Sequence, residues 1–209
     1  AELLTSAAAP IVLLNQHSQM ADQVAPGQNQ LGFMLPYTPL HQLLLKRMNR
    51  PIVLTSANRS EEPQCLFEHE LRSRFADSVD YILSHERQII NRIDDSVVRI
   101  MANQPRILRR ARGYAPAPIN LPAGFEASPE ILAYGSELKN TFCLINHGQA
   151  ILSQHMGDLE HAATFQDYEK KYTTQNLFDL FSIDFSCFAG SSPSLPVRIM
   201  PGDPVHFAA

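Results

Sequence analysis

The sequence lacks several features that would place it in a specialised class of protein. It has only three cysteines, Cys65, Cys143 and Cys187, which are far apart and form no Cys-x-x-Cys pair. This pattern argues against a disulfide framework and a cysteine zinc site, and it fits a reducing compartment such as the cytoplasm. No apolar run approaches the ~20 residues of a membrane span, and no secretory signal is visible at the N-terminus. We therefore expect neither membrane insertion nor export.

An excess of positive charge is also missing. The formal net charge is −4, so any nucleic-acid contact would have to come from a local basic patch. With 44% hydrophobic and 18% charged residues, the 209-residue chain has an ordinary globular composition and can form one large domain or two small ones. The first residue is Ala1 and not methionine, so we expect a piece of a longer chain.

Residues 1–112 alternate between apolar runs and segments of helical spacing. This alternation predicts an α/β domain with a mixed or parallel sheet. Thr38 is a suitable N-cap, and Pro39 suits the first position of the helix that follows. The predicted helices are 40–48 and 68–75, and the predicted strands are 10–14, 31–35, 51–55, one after a turn within 76–83, a short one at 89–90, and 97–100.

The sequence changes character after residue 112. Four prolines within 113–130 predict a semi-rigid connector. Residues after about 184 are rich in Ser, Pro and Gly without periodicity, which predicts disorder. The predicted elements between these segments are a β-meander of strands at 131–134, 141–145 and 150–153, a hairpin turn at 146–148, and an amphipathic helix over 161–181.

One stretch combines acids, a hydroxyl and arginines. Residues 92–99 (RIDDSVVR) run into a β-type segment, and residues 108–116 (LRRARGYAP) place three arginines just ahead of Gly113. Guanidinium groups crowd together at a cost unless they face water or an anion, and a glycine lets the backbone come close to a ligand. The pattern predicts a strand, a turn and a strand that ends in a site for a nucleotide phosphate or a nucleic-acid backbone. The alternative is a solvated basic hairpin.

Other polar residues have a local interpretation. Ser56 and Asn58 follow a predicted strand and would point the same way along an extended chain. Asp94 and Asp95 are adjacent, face opposite ways on a strand, and suit salt bridges with the arginines. Cys143 suits the core. No metal site is predicted, because no His-x-x-x-His pair is formed by His41, His85, His147, His155 and His161.

Six motifs together resemble one family, the hydrogenase-maturation carbamoyltransferases called HypF. They occur in the family's order and cover roughly residues 1–183. They are 31–41 (LGFMLPYTPLH), 55–58 (TSAN), 92–99 (RIDDSVVR), 109–116 (RRARGYAP), 135–144 (GSELKNTFCL) and 153–159 (SQHMGDL).

The resemblance implies an α/β fold in two parts. Residues 1–117 would be the later part of a YrdC-like domain, a twisted mixed sheet with helices, and 118–128 a Pro-rich linker. Residues 129–184 would be the first β-meander and helix of an actin-like (ASKHA, ribonuclease-H-like) transferase domain. The tail at 185–209 resembles nothing in the family.

The resemblance also implies a reaction. The family makes carbamoyl adenylate from carbamoyl phosphate and ATP, and passes the carbamoyl group to the C-terminal cysteine of its partner HypE, for the cyanide ligand of [NiFe] hydrogenase. Mg²⁺ is expected with ATP, and the zinc ligands of the family are expected outside this chain. YrdC-like domains are also associated with double-stranded RNA. We expect the chain to be inactive by itself, and to be poorly soluble or dimeric because half a sheet leaves edges and apolar faces unpaired.

Site residues follow from the matching motifs. The implied nucleotide contacts are Ser56, Asn58, Ser96 and one of Arg109, Arg110 and Arg112, and the implied catalytic residues are Lys139 and Asn140. One position departs from the family pattern, because Glu61 stands where a glycine is usual. If that turn needs a positive φ, glutamate would strain it by ~1 kcal/mol or more.

Two other functions fit part of the sequence. One is a threonylcarbamoyl-adenylate synthase, against which the segment at 135–140 argues. The other is an RNA-binding module without catalysis, which would use Arg106, Arg109, Arg110 and Arg112.

Overall fold

A computed structural model describes residues 1–16, 24–59 and 62–172, with the side chains of 170–172 left out. The predicted tail at 185–209, the end of the predicted helix at 161–181 and Glu61 lie outside the described residues. Within the described part, no helix is long and apolar enough to cross a membrane. The elements are α1 Glu2–Thr5, β1 Ile11–Asn15, β2 Gln30–Phe33, α2 Pro39–Met48, α3 Glu68–Phe75, β3 Val97–Met101, β4 Gln104–Arg109, β5 Ile119–Asn120, β6 Ile131–Ala133, β7 Cys143–Asn146, β8 Gln149–Leu152 and α4 Ala162–Tyr172.

The first sheet is mixed, as the alternating pattern predicts, with strand order β2-β1-β3-β4. β1 pairs antiparallel with β2 and parallel with β3, and β3 pairs antiparallel with β4. The strands β1, β2 and β3 each bury one apolar side chain, which are Val12, Leu31 and Val98. The exposed fraction of these residues is between 0% and 7%. These apolar side chains fix the registers, because a one-residue slip would turn them to the opposite face.

Helix α2 begins where local sequence signals place it. The Thr38 side chain accepts a hydrogen bond from the backbone N–H of His41 at 3.1 Å, and Pro39 occupies the first helical turn. The helix ends at Asn49, which adopts the left-handed conformation at φ 49°. Both caps satisfy backbone groups that the helix itself leaves unpaired.

The strands predicted within 51–55, 76–83 and 89–90 are wrong. None of these segments pairs with another described strand, although their β-branched and apolar residues fit a strand locally. Val53 is 73% exposed and Leu83 is 80% exposed. A strand needs a hydrogen-bonded neighbour, and a local pattern does not reveal whether the chain supplies one.

The second sheet has the order β5-β8-β7-β6, which contains the predicted meander of β6, β7 and β8. The turn between β7 and β8 has positive φ at His147 (46°) and Gly148 (73°), the conformation of a tight hairpin. Phe142, Leu144 and Tyr168 form a buried core cluster beside this sheet. β5 lies inside the predicted connector at 118–128, where no strand is predicted.

The chain divides into two compact units. Of the described residues, the first unit comprises those of Ala1–Ile119 and of Ile151–His155, and the second comprises those of Asn120–Ala150 and those from Met156 onward. The first unit is therefore discontinuous in sequence, because a short segment from much later in the chain belongs to it.

Candidate anion-binding site

The hairpin of β3 and β4 presents the arginines. Its turn has positive φ at Ala102 (50°) and Asn103 (59°), which is the conformation of a two-residue hairpin turn. Val97 pairs with Arg109 while Val98 pairs with Ile107, so Leu108 is the extra residue of a β-bulge. A bulge re-aims the side chains that follow it. It lies directly before the arginine cluster.

Ser96 braces the chain on both sides of the site. Its hydroxyl donates to the carbonyl of Arg112 at 2.9 Å and accepts from the N–H of Ala111 at 2.8 Å. The residue is completely buried. The geometry gives this hydroxyl a structural role, and the predicted contact of Ser96 with a nucleotide stays a prediction.

Arg112 is held on every side by protein groups. Its Nε donates to Oδ1 of Asp95 at 2.7 Å, and its terminal nitrogens donate to the carbonyls of Ala8 at 3.2 Å and Ala9 at 2.8 Å. The guanidinium carbon lies 3.6 Å from the centroid of the Tyr37 ring, a cation–π contact. The predicted salt bridge between Asp95 and an arginine is present here. Arg112 therefore acts as a brace within the first unit.

Gly113 packs against protein, which corrects the expectation that it brings the backbone close to a ligand. It has a φ of 87°, and a Cβ atom there would lie 2.4 Å from the carbonyl oxygen of Ala8. Only glycine fits, because both the conformation and the space exclude a side chain.

Arg110 is also engaged. One of its terminal nitrogens donates to the carbonyls of Tyr114 and Ala117, each at 2.8 Å. Burial lowers the pKa of the Arg110 guanidinium below its ordinary value. The group closes the turn that follows the hairpin.

Arg109 differs from its two neighbours. Its Nε donates to the carbonyl of Asp95 at 2.8 Å, which fixes the base of the guanidinium group. Nη1 lies 4.0 Å from Oδ1 of Asp94, beyond hydrogen-bond distance. Within the described residues, neither terminal nitrogen donates a hydrogen bond, and the side chain is 34% exposed. Arg109 is therefore the arginine of the three with both terminal nitrogens available to an anion, since Nη2 of Arg110 and both terminal nitrogens of Arg112 donate to carbonyls.

Asp94 has its own partners. Its Oδ2 lies 2.7 Å from Nδ1 of His155, and its Oδ1 accepts from Nε2 of Gln64 at 3.0 Å. Burial raises the pKa of the Asp94 carboxyl, but the hydrogen bond with His155, the charge of Arg109 and the bond from Gln64 outweigh it. The pKa of Asp94 therefore lies below its ordinary value. The sequence did not predict this set of contacts, because Asp94 and His155 are 61 positions apart.

Ser56 and Asn58 contact each other in a turn. The Ser56 hydroxyl donates to the side-chain carbonyl of Asn58, so the two side chains lie together, in a turn and not along the extended strand that was predicted. The Asn58 amide also donates to the carbonyls of Arg59 and Glu62, each at 3.0 Å. Among the described residues, no hydrogen bond joins this pair to the arginines. Their role on a nucleotide stays a prediction.

The second unit contains Lys139 and Asn140 in one loop. Asn140 is 1% exposed, and its amide donates to the carbonyls of Tyr134 at 2.9 Å and Ser136 at 2.6 Å. Lys139 has a φ of 50° and is exposed. Its backbone N–H donates to Oδ1 of Asp158 at 2.7 Å. Asn140 therefore closes the loop and Lys139 faces solvent. Catalytic roles for both stay predictions.

Within the part of the chain that the structure describes, no three His, Cys, Asp or Glu residues lie close enough together to hold a metal ion. Asp94 and Asp95 do not fit a Mg²⁺ site, because protein donors already engage both carboxylates. Cys143 lies between the buried Phe142 and Leu144, and burial raises the pKa of its thiol. These observations fit the predicted core position of Cys143.

Two protein families match this chain, each over a different part of the sequence. A YrdC-type family, Sua5/YciO/YrdC with the description "Telomere recombination", matches residues 1–111, which is more than half of the chain. A second family, "HypF Kae1-like domain", matches residues 126–189 and so extends past residue 184, where the predicted resemblance ends.

Relatives agree with both matches. A carbamoyltransferase HypF of Synechocystis is 47% identical over 81% of this chain, and one of Rhodobacter capsulatus is 46% identical over 79%. A crystal structure of full-length HypF in its phosphate- and nucleotide-bound form superposes with a TM-score of 0.75 at 43% identity, covering 87% of this chain and 28% of that one. The chain belongs to the HypF family. It spans 22% of the length of each of these two relatives.

Proposed function

We propose that the first unit binds a nucleotide phosphate as part of HypF-type carbamoyl transfer, with Arg109 as its main cationic contact. One observation carries the proposal: neither terminal nitrogen of Arg109 has a hydrogen bond among the described residues, whereas a terminal nitrogen of Arg110 and both terminal nitrogens of Arg112 donate to protein groups. The crystal structure of a relative that holds phosphate and nucleotide supports it.

The chemistry of the proposed reaction needs such a group. Carbamoyl adenylate would form from carbamoyl phosphate and ATP, and negative charge would concentrate on the attacked α-phosphate. A guanidinium fixed at its base but free at its tip stabilises that charge without reorganising. Arg109 meets both conditions, because its Nε is anchored on the Asp95 carbonyl. Ser56 and Asn58 are proposed as further polar donors to the nucleotide.

The later step of the proposed reaction involves a partner protein and the second unit of this chain. The carbamoyl group would pass to the C-terminal cysteine of HypE, and Lys139, beside Asn140, is an exposed cation of the second unit that could meet a phosphate. Mg²⁺ would come with the ATP phosphates, since the described residues contain no cluster of three His, Cys, Asp or Glu side chains that could hold it. We propose that the protein is located in the cytoplasm, which is a reducing compartment.

Equilibrium binding of ATP to the 209-residue chain tests the proposal. Arg109→Ala is expected to weaken ATP binding about 10- to 100-fold, the loss of one charge-assisted contact. Arg106→Ala is the matched control, because Arg106 is an exposed arginine on the same strand. Its affinity for ATP is expected to stay within about threefold of the parent chain.

Two outcomes would overturn the proposal. One is a folded parent chain that does not bind ATP. The other is an equal loss of affinity in both arginine variants together with a steep salt dependence, which is the behaviour of a basic patch on a nucleic-acid backbone. Circular dichroism of each variant establishes that the chain is folded before binding is measured.

A further inference from the structure

His155 contacts Asp94, whose carboxylate lies 4.0 Å from Nη1 of Arg109. Its Nδ1 lies 2.7 Å from Oδ2 of Asp94, and its side chain is 17% exposed. An ionised carboxylate only accepts hydrogen bonds, so Nδ1 of His155 is the donor in this contact. The backbone N–H of His155 also donates to the carbonyl of Arg110 at 3.1 Å.

The segment around His155 is anchored at a second point. The amide of Gln154 donates to the carbonyl of Arg92 at 2.5 Å, and Arg92 donates to the carbonyl of Gln64 at 2.6 Å. Gln64 in turn donates to Oδ1 of Asp94 at 3.0 Å. Both oxygens of the Asp94 carboxylate are therefore held by neutral or imidazole donors from this network.

The consequence concerns Arg109. A free carboxylate beside a guanidinium favours a bidentate pair, in which two parallel hydrogen bonds occupy both groups. Here Nη1 of Arg109 and Oδ1 of Asp94 are 4.0 Å apart, so that pair is not formed. With its two oxygens engaged by His155 and Gln64, Asp94 is kept from closing on Arg109.

We propose that His155 is a positioning residue, which holds the Asp94 carboxylate away from Arg109 and so leaves that guanidinium free to bind a nucleotide phosphate. The inference rests on the proposed function of Arg109. It assigns to His155 an indirect role: the imidazole acts through Asp94 and does not touch the phosphate.

The test compares ATP affinities of variants of the 209-residue chain. His155→Phe keeps a planar ring but removes the donor, and it is expected to weaken ATP binding about tenfold, since Asp94 can then pair with Arg109. His155→Asn keeps an N–H near the position of Nδ1 and is expected to stay within about threefold of the parent. His155→Leu serves as a second donor-free variant if the phenylalanine does not fit.

A rescue variant separates positioning from a general structural role. Adding Asp94→Asn to His155→Phe removes the carboxylate that would neutralise Arg109, so ATP affinity is expected to return to within about threefold of the parent. A structural defect would not be repaired by this change. No rescue, or a donor-free variant that binds like the parent, overturns the inference.

Arg109→Ala distinguishes this failure from failure of the proposed function. If Arg109→Ala weakens binding and His155→Phe does not, the phosphate contact stands and the positioning role is wrong. If Arg109→Ala binds ATP like the parent, the proposed function fails, and the positioning role fails with it. Urea unfolding midpoints of all variants exclude loss of folding as the cause of a weaker affinity.

Discussion

The arginine turn of the first unit and the 135–140 loop of the second unit differ in how they use their polar groups. Both contain a buried side chain that joins backbone groups, Ser96 in one and Asn140 in the other. The arginine turn then leaves the donors of Arg109 available beside an engaged carboxylate. In the loop, the Asn140 amide donates to the carbonyls of Tyr134 and Ser136, and Lys139 lies among the exposed residues 135–139.

This difference distinguishes, within one polar cluster, the residues that stabilise the fold from the residues that can bind a ligand. A buried group with two partners holds the chain, and its loss destabilises the fold. A fixed cation with unused donors can bind, and its loss changes affinity. Arg112 and Arg109, three positions apart, fall on opposite sides of this division.

The largest expected effect is on Arg112. Arg112→Ala removes the ion pair with Asp95, two hydrogen bonds to carbonyls and the Tyr37 ring contact, and is expected to lower the free energy of unfolding by about 3 kcal/mol. Urea unfolding measures the change. Exposed Arg106→Ala is the control, at about 0.5 kcal/mol or less. An equal effect of the two substitutions would show that Arg112 stabilises the fold no more than an exposed arginine does.

Asn140 gives the matching test in the second unit. Asn140→Ala leaves the carbonyls of Tyr134 and Ser136 without their donor, and is expected to lower the free energy of unfolding by about 2 kcal/mol. Lys139→Ala, on the neighbouring exposed residue, is expected to change it by about 0.5 kcal/mol or less. Urea unfolding of both variants decides. If Lys139→Ala is the more damaging of the two, the loop is not held as described.

The smallest expected effect is the pH dependence of Asp94. Its folded pKa is lowered, so the ionised carboxylate stabilises the fold above its unfolded pKa, and this contribution is lost as the pH falls through the folded pKa. The difference in unfolding free energy between the parent and Asp94→Asn is therefore expected to shrink below roughly pH 4. Urea unfolding at several pH values measures it, with exposed Asp80→Asn as the control. A difference that is constant with pH would contradict the lowered pKa.

Local signals predicted part of the fold well. Thr38, Pro39 and the apolar spacing that follows place α2 correctly, because a helix is specified within its own segment. The hairpin of β3 and β4 and the meander of the second sheet were predicted for the same reason, since their turns join neighbouring strands. The segments at 51–55 and 76–83 have strand-like residues but pair with no strand in the described part of the chain, because pairing depends on residues far away in sequence.

The candidate site was predicted only in outline. The cluster of acids and arginines was visible, but three guanidiniums in four positions do not reveal which one is free. That choice depends on the carbonyls of Ala8 and Ala9, about a hundred positions away from Arg112. His155 was visible only as one of several histidines, because its partner Asp94 is distant along the chain.

The discontinuity of the first unit matters for anyone who expresses its parts separately. A gene product that stops at residue 119 contains every arginine of the cluster but not Gln154 or His155. Such a truncated chain would lose the donor on Oδ2 of Asp94 and the hydrogen bond to the Arg92 carbonyl. The first family match ends at residue 111 and the second begins at residue 126. A first unit cut at these boundaries would therefore lack Gln154 and His155, on which its geometry depends.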